Sequence, residues 1–439
     1  MKVLVTNTVV LNSGEAATVR ALVGLLRRTF GPETEVIVYE QRPEAAARYY
    51  PDLRFRRLLF DRASHAPPIR RVREWVGRIL RGRFQLAARL LRDGREGLAR
   101  LLLTREEARD LEEYRTADLV VSSGGTYLVA NYDIRPRLFD FEISLLFDRP
   151  LVLFTQSMGP FRPETRERLR TLLDRAALVL LRDDASVRHL RGLGVTNPEV
   201  HGSADAVFAL EPGPRRVEVP LRPPDGEVRL RVAVSVRHWY YFRTCSEPEG
   251  MTRYRAAIAA AVSRLVRAHG ARVTFLSTCQ GIPEYWFDDA SVAREIVAAL
   301  PEDVRRAVQV DGGFRTPERL REELAAFDFV IATRFHMAIL AMLAGVPPLA
   351  LAYEFKTDEL YRRLDLSGWV HDMEEMDERA FCDRLDRCLE DLPRAREALA
   401  RGVAAERERA LKAGERLRRV LEASGRSCAG SPREPVPLP

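Results

Sequence analysis

Three side chains suited to anion binding and proton transfer follow two strand-like stretches of the sequence. Arg334 and His336 come directly after the apolar run at residues 327–331, and Arg237 ends the run LRVAVSVR at residues 230–237. Two arginines can hold a doubly anionic small molecule through paired hydrogen bonds, and a histidine between them can donate a proton. A plainer interpretation stays open, in which Arg334 pairs with a neighbouring carboxylate and His336 is a buried core histidine.

The segment 327–356 predicts a strand, a helix and a second strand. Residues 333–336 form the corner, residues 337–344 favour a helix that Gly345 and the following proline pair end, and residues 349–352 form the second strand. Two strands joined through a helix in this way are parallel, and the crossover between them is expected to be right-handed. Ligands bind at the carboxyl ends of parallel strands, where helix N-termini favour anions, so Arg334 and His336 are predicted to lie at a binding edge.

Strand–loop–helix units recur along the chain in two series. This pattern predicts an α/β fold with two Rossmann-like domains facing across a cleft, of GT-B-like type, with C-terminal helices. The predicted parts are an N-terminal domain (1–210) with an Arg-rich helical insertion (about 53–115), a Pro- and Gly-rich linker (211–227), a C-terminal domain (228–370), C-terminal helices (371–424) and a disordered tail (425–439).

The first domain offers small polar loops at its predicted strand ends. Asn12 and Gly14 stand in the loop before the first helix, Gly125 and Thr126 follow the strand at residues 117–122, and Ser157 follows the strand at residues 151–156. Such loops can present backbone N–H groups to a phosphate or a sugar hydroxyl. They match neither a phosphate-binding Walker loop nor a dinucleotide fingerprint, so the sequence does not define their ligand.

The composition is that of a globular protein. Of 439 residues, 46% are hydrophobic and 30% charged, and no uninterrupted apolar stretch is long enough to span a membrane. The N-terminus lacks a signal-peptide pattern, which predicts a cytoplasmic protein. The five cysteines form no C-x₂-C pair and no HExxH or carboxylate cluster occurs, so no metal site is predicted.

The formal net charge of +7 comes from arginine far more than from lysine. The charges are scattered among acidic residues and no nucleic-acid-binding signature accompanies them, so the sequence does not predict nucleic-acid binding. The Arg-rich helical insertion has two interpretations. It is either an amphipathic surface in peripheral contact with an anionic membrane or a protein partner, or an ordinary solvated helical face.

The order of the short motifs resembles that of the polysaccharide pyruvyl transferase family. The resemblance runs from Met1 to about Val370 and is carried by Asn12-Ser13-Gly14-Glu15, Ser123-Gly124-Gly125-Thr126, Ser157-Met158-Gly159-Pro160-Phe161, Leu181-Arg182-Asp183 with Ser186, Ser203-Ala204-Asp205, Ser235-Val236-Arg237, Thr333-Arg334-Phe335-His336, Ala344-Gly345-Val346-Pro347, and Tyr353 with Lys356. Two positions depart from the family pattern. Glu15 replaces the usual aspartate, and the run of two glycines is often three.

The resemblance implies transfer of a pyruvyl group from phosphoenolpyruvate, the donor substrate, with no further cofactor. The acceptor would be a sugar, a glycan or a lipid-linked glycan, whose two hydroxyls form a cyclic ketal. His336 would protonate the methylene carbon, Arg334 and Arg237 would hold the phosphate and carboxylate beside Phe335, and Lys356 would also contact substrate. On the first domain, Asn12, Gly14, Gly125, Thr126 and Ser157 would form the acceptor side.

Two other functions remain open from the sequence. The same architecture serves GT-B-type glycosyltransferases and sugar-nucleotide epimerases, which would bind a nucleotide sugar in the second domain. A non-catalytic scaffold of envelope polysaccharide assembly would instead bind through the Arg-rich helices, including Arg70, Arg71 and Arg73. In that case replacing His336 would not change the function of the protein.

Overall fold

The chain forms two compact units, each built on one parallel sheet. The computed structural model describes residues 1–63, 70–213 and 230–423. The first unit comprises Met1–Val9, Thr18–Ala206 and the residues from Arg409 on, and the second comprises Val10–Ala17 and Val207–Glu408. The predicted tail, most of the predicted linker, and the side chains of Arg70, Arg71 and Arg73 lie outside the described part.

The described residues of the first unit form eight parallel strands. In chain order these are β1 (Lys2–Thr6), β2 (Glu35–Glu40), β3 (Arg54–Arg57), β4 (Leu119–Ser122), β5 (Gly125–Leu128), β6 (Leu151–Met158), β7 (Leu178–Leu181) and β8 (Val200–Gly202). The spatial order is β3-β2-β1-β4-β6-β7-β8, with β5 paired to β6. The direction of winding therefore reverses between β1 and β4, as in doubly wound sheets.

The helices associated with the first sheet begin with a long one. They are α1 (Ser13–Phe30), α2 (Pro43–Tyr49), α3 (Leu59–Ala63), α4 (Arg70–Arg92), α5 (Glu96–Leu101), α6 (Arg105–Thr116), α7 (Arg135–Leu146), α8 (Pro163–Asp174) and α9 (Asp184–Leu193). The central strands are buried on both faces, which explains why β1, β4 and β7 are continuous runs of valine and leucine.

The second unit repeats this architecture, with six strands among its described residues. They are β9 (Arg231–Ser235), β10 (Arg272–Phe275), β11 (Val308–Val310), β12 (Phe329–Ala332), β13 (Pro348–Ala352) and β14 (Val370–Asp372). Their order is β11-β10-β9-β12-β13-β14, the six-stranded Rossmann arrangement, so the winding reverses between β9 and β12. The α/β class with two parallel sheets is confirmed.

The remaining helices of the described residues begin at Glu247. They are α10 (Glu247–His269), α11 (Asp289–Ala298), α12 (Glu302–Arg305), α13 (Pro317–Leu324), α14 (Phe335–Leu343), α15 (Phe355–Arg363), α16 (Glu378–Glu390) and α17 (Leu392–Ala423). Short 3₁₀ turns cover Ala206–Ala209, Ser367–Trp369 and Met373–Glu375. No helix among the described residues has the length and hydropathy needed to cross a bilayer.

The structure differs from the sequence-based boundaries in four places. Arg54–Arg57, at the start of the predicted helical insertion, is the edge strand β3, and Val370–Asp372, at the start of the predicted C-terminal helices, is the sixth strand β14. Both are edge strands of only four and three residues, RFRR and VHD, which are too short and too polar to show a strand pattern of their own. In addition, Val10–Ala17 groups with the second unit, and α17 passes from the second unit into the first at residue 409.

A buried carboxylate in the first unit makes its stability depend on pH. Asp140 of α7 is 1% exposed, its Oδ2 accepts a hydrogen bond from Thr6, and its Oδ1 has no hydrogen-bond partner among the described residues. Burial raises the pKa of Asp140 from 3.8 to about 7, although Thr6 and Arg137 oppose the shift. Between those two values the folded protein holds a proton that the unfolded chain has lost.

We expect Asp140 to lower stability as the pH rises from about 4 to about 7, by at most about 4 kcal/mol. Asn cannot ionise, so in Asp140→Asn the free energy of unfolding should fall less over that interval, by about 2–4 kcal/mol. Urea unfolding of both proteins at pH 5 and pH 8 measures the difference. If the free energies of unfolding of the two proteins differ by the same amount at both pH values, the ionisation of Asp140 is contradicted.

Candidate functional site

The candidate site lies where the winding of the second sheet reverses. Arg237 follows β9 by two residues, and Arg334 and His336 follow β12. The two strands are paired in parallel, and the Thr333 N–H donates to the Ser235 carbonyl at 2.9 Å just beyond the last strand residue. This switch point at the carboxyl ends is where doubly wound sheets bind ligands.

Arg334 is already paired with a carboxylate. Its Nε and Nη2 donate to the two oxygens of Asp289 at 2.8 and 2.6 Å, and both side chains are nearly buried. Although burial alone would lower it, the charge of Asp289 raises the pKa of Arg334 well above its usual value. Ser277 also donates to Asp289. The plainer interpretation of Arg334 is therefore realised, and only its Nη1 makes no hydrogen bond to the described residues.

Arg237 carries a positive charge that no carboxylate within the described ranges neutralises. Its Nε donates to the His238 carbonyl at 3.2 Å, and its guanidinium lies 4.9 Å from the ring centre of Trp239 and 4.5 Å from that of Tyr353. Aromatic faces stabilise a cation without using its N–H donors. The donors of Arg237 are therefore better suited to an incoming anion than those of Arg334.

His336 stands in the first turn of α14, with Arg334 as the N-cap residue, rather than in the corner before the helix. Its side chain is 8% exposed, and its Nδ1 lies 3.7 Å from Oε1 of Glu15. Glu15 is in the first turn of α1, whose cap residue Asn12 accepts the Ala16 N–H at 2.8 Å through its carbonyl. Two helix N-termini thus meet at His336, and both favour negative charge.

The segment that carries Asn12 and Gly14 is hydrogen-bonded to two loops of the second unit. The Ser13 N–H donates to the Thr278 carbonyl at 2.9 Å and its Oγ donates to the Arg315 carbonyl at 2.5 Å, while the Gly14 N–H donates to Asn12 Oδ1 at 2.9 Å. The sequence placed this loop on the acceptor side of the first domain. The structure instead brings it to the histidine of the second unit.

Lys356 and Phe335 extend the same cluster. The Lys356 ammonium lies 2.5 Å from Glu354, 5.4 Å from the ring centre of Phe335 and 5.8 Å from that of Tyr353. The Phe335 ring is 5.6 Å from the His336 ring. Tyr353 therefore joins Lys356 to Arg237, and all the predicted second-domain residues form one group.

Two residues of this group were not predicted from the sequence. Asp289 holds Arg334, and Tyr254 of α10 is fully buried, where its hydroxyl bonds Thr333 Oγ1 at 2.8 Å and accepts the Arg237 N–H at 3.3 Å. Burial raises the pKa of Tyr254, although both hydrogen bonds oppose the shift, so it stays a neutral phenol. Neither residue stands in a recognisable motif, and only aligned relatives could have singled them out.

The candidate residues of the first unit belong to a buried polar network. Arg182 donates to Ser157 Oγ at 2.8 Å, to Thr126 Oγ1 at 2.9 Å and to Asp205 at 2.5 Å. Ser157 in turn donates to Asp183 at 2.6 Å. These contacts unite four of the motifs beside the carboxyl ends of β6, β7 and β8, and they give Thr126 and Ser157 a structural role.

The last predicted site residue of the first unit, Gly125, is closely packed. Gly125 begins β5, where an added Cβ would lie 2.3 Å from the Tyr127 ring, so a larger residue would displace that ring. The described residues contain no group of three or more His, Cys, Asp or Glu side chains arranged to hold a metal ion.

Solved structures define the class of the fold. HepE from Anabaena, in complex with UDP-glucose, is 13% identical with a TM-score of 0.56, covering 97% of this chain and 99% of its own. A glycosyltransferase from Rickettsia africae is 9% identical with a TM-score of 0.58, covering 96% and 98%. A putative UDP-N-acetylglucosamine 2-epimerase from Listeria monocytogenes is 11% identical with a TM-score of 0.53, covering 91% and 90%. The fold is that of the GT-B-type glycosyltransferases and epimerases.

Sequence comparison then identifies the family. The family model described as polysaccharide pyruvyl transferase matches residues 12–354. The amylovoran biosynthesis protein AmsJ of Erwinia amylovora is 26% identical over 305 residues, which cover 67% of this chain and 71% of that protein. Because the family match covers more than half of the sequence, this chain belongs to the polysaccharide pyruvyl transferase family.

Gly14 leaves no space for a side chain beside His336. An added Cβ would lie 2.7 Å from the His336 Cβ and 3.1 Å from its Nδ1. We therefore expect Gly14→Ala to displace His336 and to lower the free energy of unfolding by about 1–3 kcal/mol. Urea unfolding measures the loss, and the histidine proton resonances report the displacement.

The matched control is Gly24→Ala in the same helix. No heavy atom lies within 4 Å of the position that a Cβ on Gly24 would take, so alanine should stabilise the helix by about 0.5–1 kcal/mol. Equal effects of the two substitutions would contradict the close approach of Gly14 to His336.

Proposed function

We propose that the protein transfers a pyruvyl group from phosphoenolpyruvate to two hydroxyls of a sugar during polysaccharide biosynthesis. The observation that carries the proposal is Arg237, an arginine without a carboxylate partner in the described part of the chain, at the same strand switch point as His336. Phosphoenolpyruvate has a carboxylate, a phosphate and a carbon that must be protonated. An unpaired cation and a proton donor meet those needs.

The anionic groups of the donor bind to the cationic side of the cluster. Arg237 holds one anionic group through its guanidinium, and Lys356 with Arg334 Nη1 and the first turn of α14 holds the other. Asp289 keeps Arg334 in place, so Arg334 contributes positioning as well as charge. Phe335 fixes the orientation of Lys356 through its ring.

In the proposed reaction His336 donates one proton to the donor substrate and receives one from the acceptor. His336 donates a proton to the methylene carbon, which becomes the methyl group, while one sugar hydroxyl bonds to the adjacent carbon and loses its proton back to His336. The bond from that carbon to the phosphate oxygen then breaks, and the second hydroxyl takes its place. The second hydroxyl proton leaves with the phosphate. Glu15, 3.7 Å from Nδ1, orients the imidazole for both transfers.

Exposed aromatic rings on two loops of the second unit provide the acceptor surface. Tyr240 and Tyr241 follow β9, Trp286 and Phe287 follow β10, and each is more than a third exposed. Trp239, which contacts Arg237, lies 5.3 Å from Tyr241 between ring centres. Apolar faces of sugar rings pack on such side chains. Gly125, Thr126 and Ser157 stay predictions for the acceptor side.

The name of the Erwinia amylovora relative supports an acceptor of this kind, since that protein is described by its part in amylovoran biosynthesis. From this description we infer only the chemical class of the acceptor. The acceptor is a sugar of a polysaccharide or of its lipid-linked precursor, with two hydroxyls close enough to close a cyclic ketal.

Calorimetry with phosphoenolpyruvate tests the donor. Arg237→Ala should weaken binding about 10- to 100-fold, because a charge-assisted pair is worth about 1.5–3 kcal/mol. Arg231→Ala is the matched control, since Arg231 begins the same strand at the opposite end of the sheet. It should leave binding unchanged.

UDP and UDP-glucose form the second arm of the experiment, each with and without candidate sugars. Binding of a nucleotide sugar with no heat from phosphoenolpyruvate would overturn the proposal in favour of a glycosyltransferase or an epimerase. Phosphate release coupled to formation of a ketal methyl resonance would establish the activity itself.

A further inference from the structure

The hairpin of α4 and α5 has one face anchored in the first unit. Phe84, Ala87 and Ala88 of α4 are completely buried, and the Phe84 ring lies 5.9 Å from that of Phe139 in α7. Arg81 lies over the ring of Phe60 at 4.7 Å. This packing accounts for the inner face of the helix and fixes which side chains point outward.

The outer face carries large apolar side chains in a stripe. Trp75, Ile79 and Leu86 are 63%, 51% and 50% exposed, and at 100° per residue they fall within about 40° of one another around α4. On the neighbouring α5, Leu98 and Leu101 are 52% and 82% exposed. Singly exposed apolar residues are ordinary, but five on one hairpin mark an interaction surface.

Positive charge accompanies the stripe. Residues 70–101 contain ten arginines and three acidic residues, a difference of +7, which equals the formal net charge of the whole chain. Arg78 and Arg89 are exposed and lie about 40–60° from the apolar stripe along one edge. Neither forms an ion pair with a residue that the structure describes. The rest of the chain is neutral in sum, so the charge is concentrated on this hairpin.

From this combination we infer that the α4–α5 hairpin docks on an anionic lipid surface. An interfacial helix inserts tryptophan and leucine at the boundary of the headgroups, while arginines reach the lipid phosphates. An anionic bilayer matches both the charge and the apolar stripe, whereas an ordinary solvated face would not expose a tryptophan and two aliphatic side chains in line. The inference is independent of the proposed reaction, and it would place the protein at the surface that holds lipid-linked sugars.

Vesicle sedimentation tests the inference on the full-length protein. Vesicles of phosphatidylcholine alone are compared with vesicles that contain about a third phosphatidylglycerol, and the fraction of bound protein is measured. We expect binding to the anionic vesicles that decreases as salt is raised. Trp75→Glu should weaken it at least tenfold, and the double reversal Arg78→Glu with Arg89→Glu about a hundredfold.

Matched controls separate the hairpin from general surface effects. Trp286→Glu replaces a tryptophan that is 62% exposed in the second unit, and the pair Arg253→Glu with Arg306→Glu reverses two exposed arginines there. These proteins should bind anionic vesicles within about threefold of the wild type, because the substitutions leave the apolar stripe and the arginines of the α4–α5 hairpin unchanged.

Four results would overturn the inference: no binding of wild type to anionic vesicles, equal binding to neutral vesicles, equal losses in the control proteins, or a dimer in solution that Trp75→Glu dissociates. The last result would assign the stripe to a second copy of the chain. If a hairpin variant failed to fold, the salt and lipid dependence of the wild type would still decide the matter.

Discussion

If the proposed reaction is correct, replacing His336 with Gln should lower kcat for pyruvyl transfer by about 10³-fold, while phosphoenolpyruvate binding should change less than about threefold. Glutamine retains a polar side chain in the first turn of α14 but cannot donate an acidic proton at neutral pH. In the proposed site Arg237, Lys356 and the helix N-terminus hold the anion, so the loss should fall on the chemical step. Phosphate release measures the rate, and calorimetry measures the binding.

His371→Gln is the control for the loss of a buried histidine. His371 lies in β14 of the same unit and is 7% exposed, and it takes no part in the cluster around Arg237. Its replacement should leave kcat within about twofold. Equal activity of the His336 and His371 variants would remove the proton-donor role, and a loss of phosphoenolpyruvate binding in the His336 variant would make His336 a binding residue instead.

Arg182→Ala destabilises the first unit by about 3–5 kcal/mol. The Arg182–Asp205 pair is 3% exposed on both sides, and Arg182 also serves Ser157 and Thr126. Truncation leaves the Asp205 carboxylate buried without its counter-charge and removes the donors of two hydroxyls. Urea unfolding followed by circular dichroism measures the loss.

The matched control is Arg170→Ala in the same unit. Arg170 pairs with Glu167 at 2.6 Å, but the two side chains are 36% and 79% exposed, so water replaces the contact and little change in stability is expected. If Arg182→Ala costs no more than Arg170→Ala, the network is not a structural support. Thr126 and Ser157 would then be available to a ligand.

The fold followed largely from local patterns. Continuous apolar runs predict parallel strands that are covered on both faces, and the order of strands and helices predicts two α/β series. The short edge strands β3 and β14 were missed, because each is only three or four residues long and forms by pairing with the edge of the preceding strand rather than through a hydrophobic pattern of its own. Residues 10–17 were assigned to the first domain because they follow its first strand, whereas hydrogen bonds to Thr278 and Arg315 group them with the second.

The sequence by itself determined that Arg237, Arg334 and His336 stand at strand ends, because strand and helix boundaries are written in local hydrophobic pattern and in Gly and Pro positions. Only the tertiary structure decided which arginine lacks a carboxylate partner within the described ranges. Arg334 is neutralised by Asp289, 45 residues away, whereas Arg237 lies against Trp239 and Tyr353. Such pairing depends on which loops the sheet order β10-β9-β12-β13 makes neighbours, and that order arises from long-range packing.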